Sequence, residues 1–329
     1  MSAMGKLPTI AVCYLAGVDS TQLEERRGPS RISDALPDHP ILDMRGRTPA
    51  DLSVDERERL ADVEIAFILD MPDYVFDAFP NLKWMHSLMT GHDHIPLDEL
   101  RKRGIRLTNG AGTAATEIAE FVIARVLEHW KRLPLMAQQQ AEHKWWPAFG
   151  RPLSESNVVL VGYGPINQEV ARLLAPFNVN VTAVRRTAAA TSPGAQRTFA
   201  FDDMNTPLAE ADIVVAAVPS NADTTGMFDA ARFAAMKPGC FFVNVGRGTA
   251  VVEPDLMAAL ASDHLGGAAV DVTSEEPLPA DNPLWDSTVR ISPHSSATLV
   301  NTMRRVHELF VRNVARYQRG ETLENEVDL

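Results

Sequence analysis

Cysteine is scarce in this chain: Cys13 and Cys240 are its two cysteines in 329 residues. Both lie in apolar, strand-like runs, IAVCYL and GCFFVNV. Such placement argues against a disulfide framework or a cysteine metal site and points to a reduced, cytoplasmic protein. Long hydrophobic runs are missing as well. None approaches the roughly 20 apolar residues of a membrane span. The N-terminal MSAMGKLPTIAVCYL, an apolar run broken by Pro8, reads as a first strand rather than a signal peptide. Positive charge is in deficit, with 31 Lys+Arg against 43 Asp+Glu and a net charge of −12. That balance argues against nucleic acid as the main partner and requires a local cationic site for any anionic ligand. Repeats, low-complexity tracts and charge blocks are absent. The remainder, 45% hydrophobic and 22% charged, is ordinary for a globular chain. Its length suggests two domains, because single cores stop growing near roughly 250–300 residues.

The most informative stretch is 157–186, NVVLVGYGPINQEVARLLAPFNVNVTAVRR. An apolar run from Val158 to Val161 leads into Gly162-Tyr-Gly164-Pro165-Ile166. A helical pattern follows (Val170, Leu173, Leu174), then a second apolar run (Val179, Val181, Ala183). Strand, glycine turn, helix and strand in register form the context of a dinucleotide fingerprint. Gly162 permits the tight turn, and Gly164 lets the backbone approach a pyrophosphate at the helix N-terminus. The third glycine is replaced by Asn167, a side chain expected to push the helix outward or point into the cofactor groove. The second strand ends in Arg185-Arg186 instead of the acidic residue that holds a ribose 2′-hydroxyl. Guanidinium groups bind a 2′-phosphate that a carboxylate would repel, so NADP(H) is favoured and NAD(H) remains possible. The competing reading is a pair of solvated arginines.

Before this stretch, strand-like runs (Thr9–Leu15, 41–44, 65–69, 83–87 and 106–108) alternate with helical patterns such as Thr48–Leu60 and Leu97–Arg103. A long helix is expected over 114–133 with Thr113 as its N-cap, then a polar helix over 135–145. Later strands are expected at 213–218, 241–245, 267–270 and 289–291. A last amphipathic helix over 297–318 carries Leu299, Met303, Val306, Phe310 and Val314 on one face. The alternation predicts an α/β fold of two doubly wound parallel-sheet domains. One, residues 1–108 plus 296–329, is discontinuous and carries substrate. The other, 109–295, is the Rossmann-type nucleotide-binding domain. Substrate is expected in the interdomain cleft, whose closure excludes water.

Three segments follow late strands of the nucleotide domain: Asn244-Val-Gly-Arg247-Gly248, Asp271-Val-Thr-Ser-Glu-Glu276-Pro277 and Ser292-Pro-His294-Ser-Ser296. Ligands bind at that edge of open α/β sheets. Hydride transfer to a ketone needs a proton donor, and an imidazole such as His294 titrates in the right range. Glu276, hydrogen-bonded to the other ring nitrogen, would fix the tautomer. Arg247 would pair with a carboxylate beside the reacting carbonyl. Each alone has a bland reading, as loop arginine, solvated acid and core histidine.

At these residues the chain resembles the D-isomer-specific 2-hydroxyacid dehydrogenase family. The resemblance spans most of the chain and is strongest over 157–300, in GYGPIN, NVGRGTAVVEPDL, GGAAVDVTSEEPLP, NPLW and SPHSSAT. The stretch from VDVTSEEPLP to SPHSSAT resembles the glyoxylate/hydroxypyruvate reductase branch. The resemblance implies Arg247, Glu276 and His294 as the catalytic residues. It implies that Thr90 and Gly91, in a loop of the first domain, bind the substrate carboxylate with Arg247 and His294. Val218, Val245 and Asp271 would line the cofactor pocket, with flavodoxin-like topology in the first domain and a homodimer formed through the helix after Thr113. The substrate would be a small anionic 2-keto or 2-hydroxy acid. Alternatives stay open: a bulkier 2-keto acid or other anion, with Trp84, Trp145 and Trp146 near the pocket, or a nucleotide-sensing corepressor-like protein, which the family includes. His92 and His94 flank Asp93, but the spacing suits three converging ligands poorly and no metal is expected. The remaining histidines His129, His143, His264 and His307 are expected to face solvent.

Overall fold

Strand residues alternate between two apolar faces, as sheets covered on both sides require. In β6 (Asn157–Val161), Val158 and Leu160 enter one core while Val159 and Val161 enter the other. β9 (Ile213–Ala216) and β10 (Cys240–Asn244) repeat the alternation, with Phe241 and Val243 on the first side and Cys240 and Phe242 on the second. The computed structural model describes residues 7–13, 32–69, 71–188, 191–297 and 299–329. The last two residues of the expected first strand therefore lie outside the described residues.

The chain divides into two α/β units, Met1–Thr113 with Leu299–Leu329, and Ala114–Thr298. The divisions fall later than 108 and 295. Gly110 N–H bonds the Met89 carbonyl and Asn109 N–H the Asn325 carbonyl, which keeps residues 109–113 with the first unit. Ser296 N–H bonds Asp271, which keeps that residue with the second.

The first unit holds β1 (Thr9–Cys13), β2 (Ile41–Asp43), β3 (Val63–Ile68), β4 (Trp84–Ser87) and β5 (Arg106–Thr108). They form a parallel sheet in the order β2-β1-β3-β4-β5, the flavodoxin-like arrangement. The helix Leu299–Gln318 lays Met303, Val306, Phe310 and Val314 against Ile10, Phe67 and Trp84 on one face. The expected helix Thr48–Leu60 is instead broken into a turn Pro49–Asp51, a helix Val54–Glu58 and a turn Arg59–Asp62. Ser53 restarts the backbone: its hydroxyl accepts from Glu56 N–H and the Glu56 carboxylate accepts from Ser53 N–H.

In the second unit β7 (Asn180–Arg185), β8 (Arg197–Ala200), β11 (Leu265–Val270) and β12 (Arg290–Ile291) complete a seven-stranded parallel sheet. Its order is β12-β11-β10-β9-β6-β7-β8. The winding reverses between β6 and β9, which places a crevice at the carboxyl end of β6. Sequence reading missed β8, a short, partly exposed edge strand. The expected helix 114–133 ends at Trp130, Arg132 takes a left-handed backbone, and a second helix covers Leu133–Ala141 rather than 135–145. Thr113 is not the N-cap. Ala114 holds that position, and the Thr113 hydroxyl turns back to the Gly110 carbonyl at 2.6 Å.

Candidate active site

The glycine turn closes the carboxyl end of β6. Gly162 has φ +82°, and a Cβ there would lie 2.5 Å from the Ala217 carbonyl oxygen, so both conformation and space demand glycine. Above Gly164 a Cβ would meet nothing within 4 Å, which leaves a cradle open over the backbone. Gly164 caps the helix Pro165–Leu174, with Pro165 at its first positions. Pro165 has no N–H to lose, and the first-turn N–H groups of Ile166 and Asn167 have no partner within the helix. These features fit a dinucleotide pyrophosphate.

Asn167 behaves otherwise than expected. It is 0% exposed, and its Nδ2 donates to the carbonyls of Val161 (3.1 Å) and Gly162 (3.0 Å). It thus ties the helix to the strand end instead of pushing outward or entering the groove. Beside the turn, Gly162 N–H bonds the Val184 carbonyl at 2.9 Å, so the end of β7 lies level with it. Arg185, half-buried, closes that strand and Arg186 follows, exposed. Among the described residues neither guanidinium forms an ion pair. Val218 and Val245 are buried beyond the ends of β9 and β10.

The second cluster lies at the carboxyl ends of β10, β11 and β12. His294 Nδ1 and Glu276 Oε2 are 2.7 Å apart, and Glu276 Oε1 accepts from Thr273 N–H at 3.0 Å. Both side chains stay solvent-accessible, at 48% and 37%. A carboxylate only accepts, so Nδ1 carries a proton and Nε2 faces away from Glu276. The His294 backbone is left-handed (φ +49°), and its N–H bonds the Asp271 carbonyl at 2.8 Å. Asp271, expected to line the cofactor pocket, spends its carboxylate elsewhere. It is 2% exposed, and Oδ1 accepts from the Ser292 hydroxyl (2.6 Å) and from the N–H groups of Ser295 and Ser296. That carboxylate builds the loop that presents His294. Asn244, fully buried, does the same for Arg247: Oδ1 accepts from Gly246 N–H and Nδ2 donates to the Arg247 carbonyl. Sequence reading missed both supporting roles, although a polar residue directly at the end of an apolar strand is the visible signal.

In the first unit, Thr90 and Gly91 follow the carboxyl end of β4. The amide of Asn109, another residue missed, donates to the Thr90 carbonyl at 2.8 Å and holds this loop, with His92 Nδ1 3.4 Å away. No group of three or more potential ligands for a metal occurs among the described residues. Of the histidines expected to face solvent, only His143 is exposed. His129 stacks on Phe241 at 4.3 Å, His264 Nε2 contacts the carbonyls of Phe233 and Met236, and His307 packs against Phe67. Ring contact wins over solvation at His129 and His307, and backbone carbonyls take the place of water at His264. Trp84 is core, whereas Trp145, Trp146 and Phe149 are exposed. No helix among the described residues is long and apolar enough to cross a membrane.

The family model of the D-isomer specific 2-hydroxyacid dehydrogenase NAD binding domain matches residues 123–296, more than half of the chain. The chain belongs to that family. It is an oxidoreductase of the 2-hydroxyacid dehydrogenase type, and its second unit is a nicotinamide-cofactor domain. A glyoxylate reductase/hydroxypyruvate reductase of Mus musculus is 33% identical over 259 residues, 76% of this chain and 78% of that protein. A glyoxylate reductase of Thermofilum pendens is 32% identical over 259 residues, 75% of each. Among solved structures, an NADPH-dependent glyoxylate/hydroxypyruvate reductase of Sinorhizobium meliloti, in complex with NADP and sulfate, is 26% identical with TM-score 0.82, covering 98% of both chains. A D-isomer specific 2-hydroxyacid dehydrogenase of Xanthobacter autotrophicus Py2, in complex with NADPH and MES, is 27% identical with TM-score 0.82, again over 98% of both chains.

Proposed function

We propose that this protein is an NADPH-dependent reductase that converts a small 2-keto acid, with glyoxylate and hydroxypyruvate the first candidates, into the D-2-hydroxy acid. The observation that carries the reading is the 2.7 Å contact of His294 Nδ1 with Glu276, which leaves Nε2 to face a substrate. Gly162, Gly164 and the N-terminus of the helix Pro165–Leu174 would hold the pyrophosphate of a reduced nicotinamide dinucleotide, which would supply the hydride. His294 Nε2 gives the proton to the carbonyl oxygen as its charge develops. Glu276 accepts from Nδ1 and holds the ring in the orientation that leaves Nε2 to the substrate. Arg247 pairs with the substrate carboxylate and polarises the carbonyl. The N–H groups of Thr90 and Gly91 bind the same carboxylate. Arg185 and Arg186 select the 2′-phosphate.

His294→Ala is expected to lower kcat by about 100-fold or more, the span of a lost general acid, with NADPH affinity nearly unchanged. Glu276→Gln is expected to lower kcat with NADPH affinity nearly unchanged. Loss of NADPH binding in the first variant, or an unaltered kcat in the second, would remove that residue from its role. The same reading makes the protein a homodimer. Trp145, Trp146 and Phe149 support it, since soluble monomers rarely expose clustered large apolar side chains. Sedimentation that shows a monomer at micromolar concentration would contradict that part.

A further inference from the structure

One side chain that takes no part in the chemistry joins the two segments assigned to the cofactor. Tyr163 lies between Gly162 and Gly164, and its ring is 4% exposed in the core shared by Val170, Ala171 and Val181. Its hydroxyl donates to the carbonyl of Pro193. Burial pushes the phenol up from its ordinary value, so the group stays protonated and a donor.

Pro193 belongs to a turn that ends the connection begun by Arg186. The Ala195 N–H closes it on the Ser192 carbonyl at 3.0 Å. Gln196 anchors it to β7, with its N–H on the Val181 carbonyl (2.9 Å) and its Oε1 accepting from Val181 N–H (2.7 Å). Ser192 is buried and accepts from the Thr198 hydroxyl at 2.9 Å. A Cβ on Gly194 would lie 3.3 Å from Ala171 Cβ and 3.4 Å from the Tyr163 hydroxyl, so the turn rests directly on the cofactor-binding helix. The near end of the connection is fixed to the glycine turn through Gly162 N–H and Val184. The far end is fixed to it by the tyrosine.

We propose that Tyr163 is a positioning residue for cofactor selectivity. Its hydroxyl holds the Ser192–Gln196 turn against the glycine turn, and so sets Arg185 and Arg186 at the 2′-phosphate of a dinucleotide whose pyrophosphate lies on that glycine turn. The proposal rests on the NADP(H) preference stated above. A bond from a buried hydroxyl to a backbone carbonyl suits this task, because among the described residues neither group has another partner.

Equilibrium binding of NADPH and of NADH to the full-length protein, followed by nicotinamide fluorescence, tests it without turnover. Tyr163→Phe keeps the ring and removes the donor. It is expected to weaken NADPH by about 5–10-fold, the worth of one such bond, and NADH by much less. Thr198→Val loosens the same turn from its outer side and is expected to shift the NADPH-to-NADH ratio in the same direction. This second variant decides the matter if the first fails to fold. Equal weakening of both cofactors, or none, in a protein that prefers NADPH would overturn the role of Tyr163 alone. Equal affinity of the unaltered protein for both cofactors would overturn the cofactor preference and this proposal with it.

Discussion

His86 shows how a polar residue is kept in a core. It is fully buried in β4, its ring parallel to Phe67 and tilted on Phe310. Trp84 Nε1–H donates to Thr108 Oγ1 at 2.9 Å, so the single Thr108 proton is free to go to His86 Nδ1 at 2.6 Å. Burial, with His307 adding to it, pushes the imidazole down to about 3. The unfolded chain takes up this proton near the ordinary histidine value and the folded chain does not. The residue's contribution to stability is therefore complete above that value and lost as pH falls toward 3. Urea unfolding of the unaltered protein is expected to weaken from pH about 6.5 to 5, where few carboxylates titrate. His86→Phe is expected to flatten that slope, and an unchanged slope would mean that the imidazole is not held neutral. At the cofactor, Arg185→Asp is expected to weaken NADPH by about 10–100-fold, the worth of a charge-assisted bond, and to spare NADH. Equal losses would point to a structural arginine. The glycine turn was legible in sequence because Gly162 and Gly164 stand between an apolar run and a helical pattern. Asn167 was not legible. Its spacing marked a missing glycine, but only the fold shows the carbonyls of Val161 and Gly162 within its reach.

At the scale of elements, the strands other than β8 followed from apolar runs, since a strand covered on both faces reads as a continuous apolar stretch. Breaks followed less well. The helix expected over 48–60 is interrupted by the Ser53–Glu56 capping box. The long helix after Thr113 stops where Arg132 turns left-handed. Neither break interrupts the hydrophobic pattern, so period alone cannot find it. The loops of the candidate site show the converse, a local glycine with a long-range cause. A Cβ on Gly248 would lie 1.9 Å from the Thr273 backbone carbonyl, so the Arg247 loop packs backbone to backbone on the loop that carries Glu276. Gly248→Ala is expected to destabilise the protein by about 2–3 kcal/mol, as overpacking does. Moving Thr273 also disturbs the N–H that holds Glu276, so kcat is expected to fall more than NADPH affinity. Unfolding measurements and cofactor titration check this, and unaltered stability would mean that the loops are not in contact in solution.

Over the whole molecule, an acidic chain with net charge −12 must draw anionic ligands to a few cations set at sheet edges. Arg247 at the end of β10 and Arg185 at the end of β7 occupy such edges of one sheet. β9 and β6 lie between them in the sheet order, so under the proposed function Arg247 would meet the substrate carboxylate and Arg185 the cofactor phosphate. The family and the two parallel sheets were legible because the glycine turn and the late motifs are local in sequence. The choice of acid was not, because side chains from separate loops set it. The measurement that tests the account most directly is oxidation of NADPH and of NADH, followed by absorbance, with glyoxylate, hydroxypyruvate and larger 2-keto acids. Turnover of a small 2-keto acid, faster with NADPH than with NADH, is the predicted result. A protein that binds NADPH but reduces none of these acids would contradict the account.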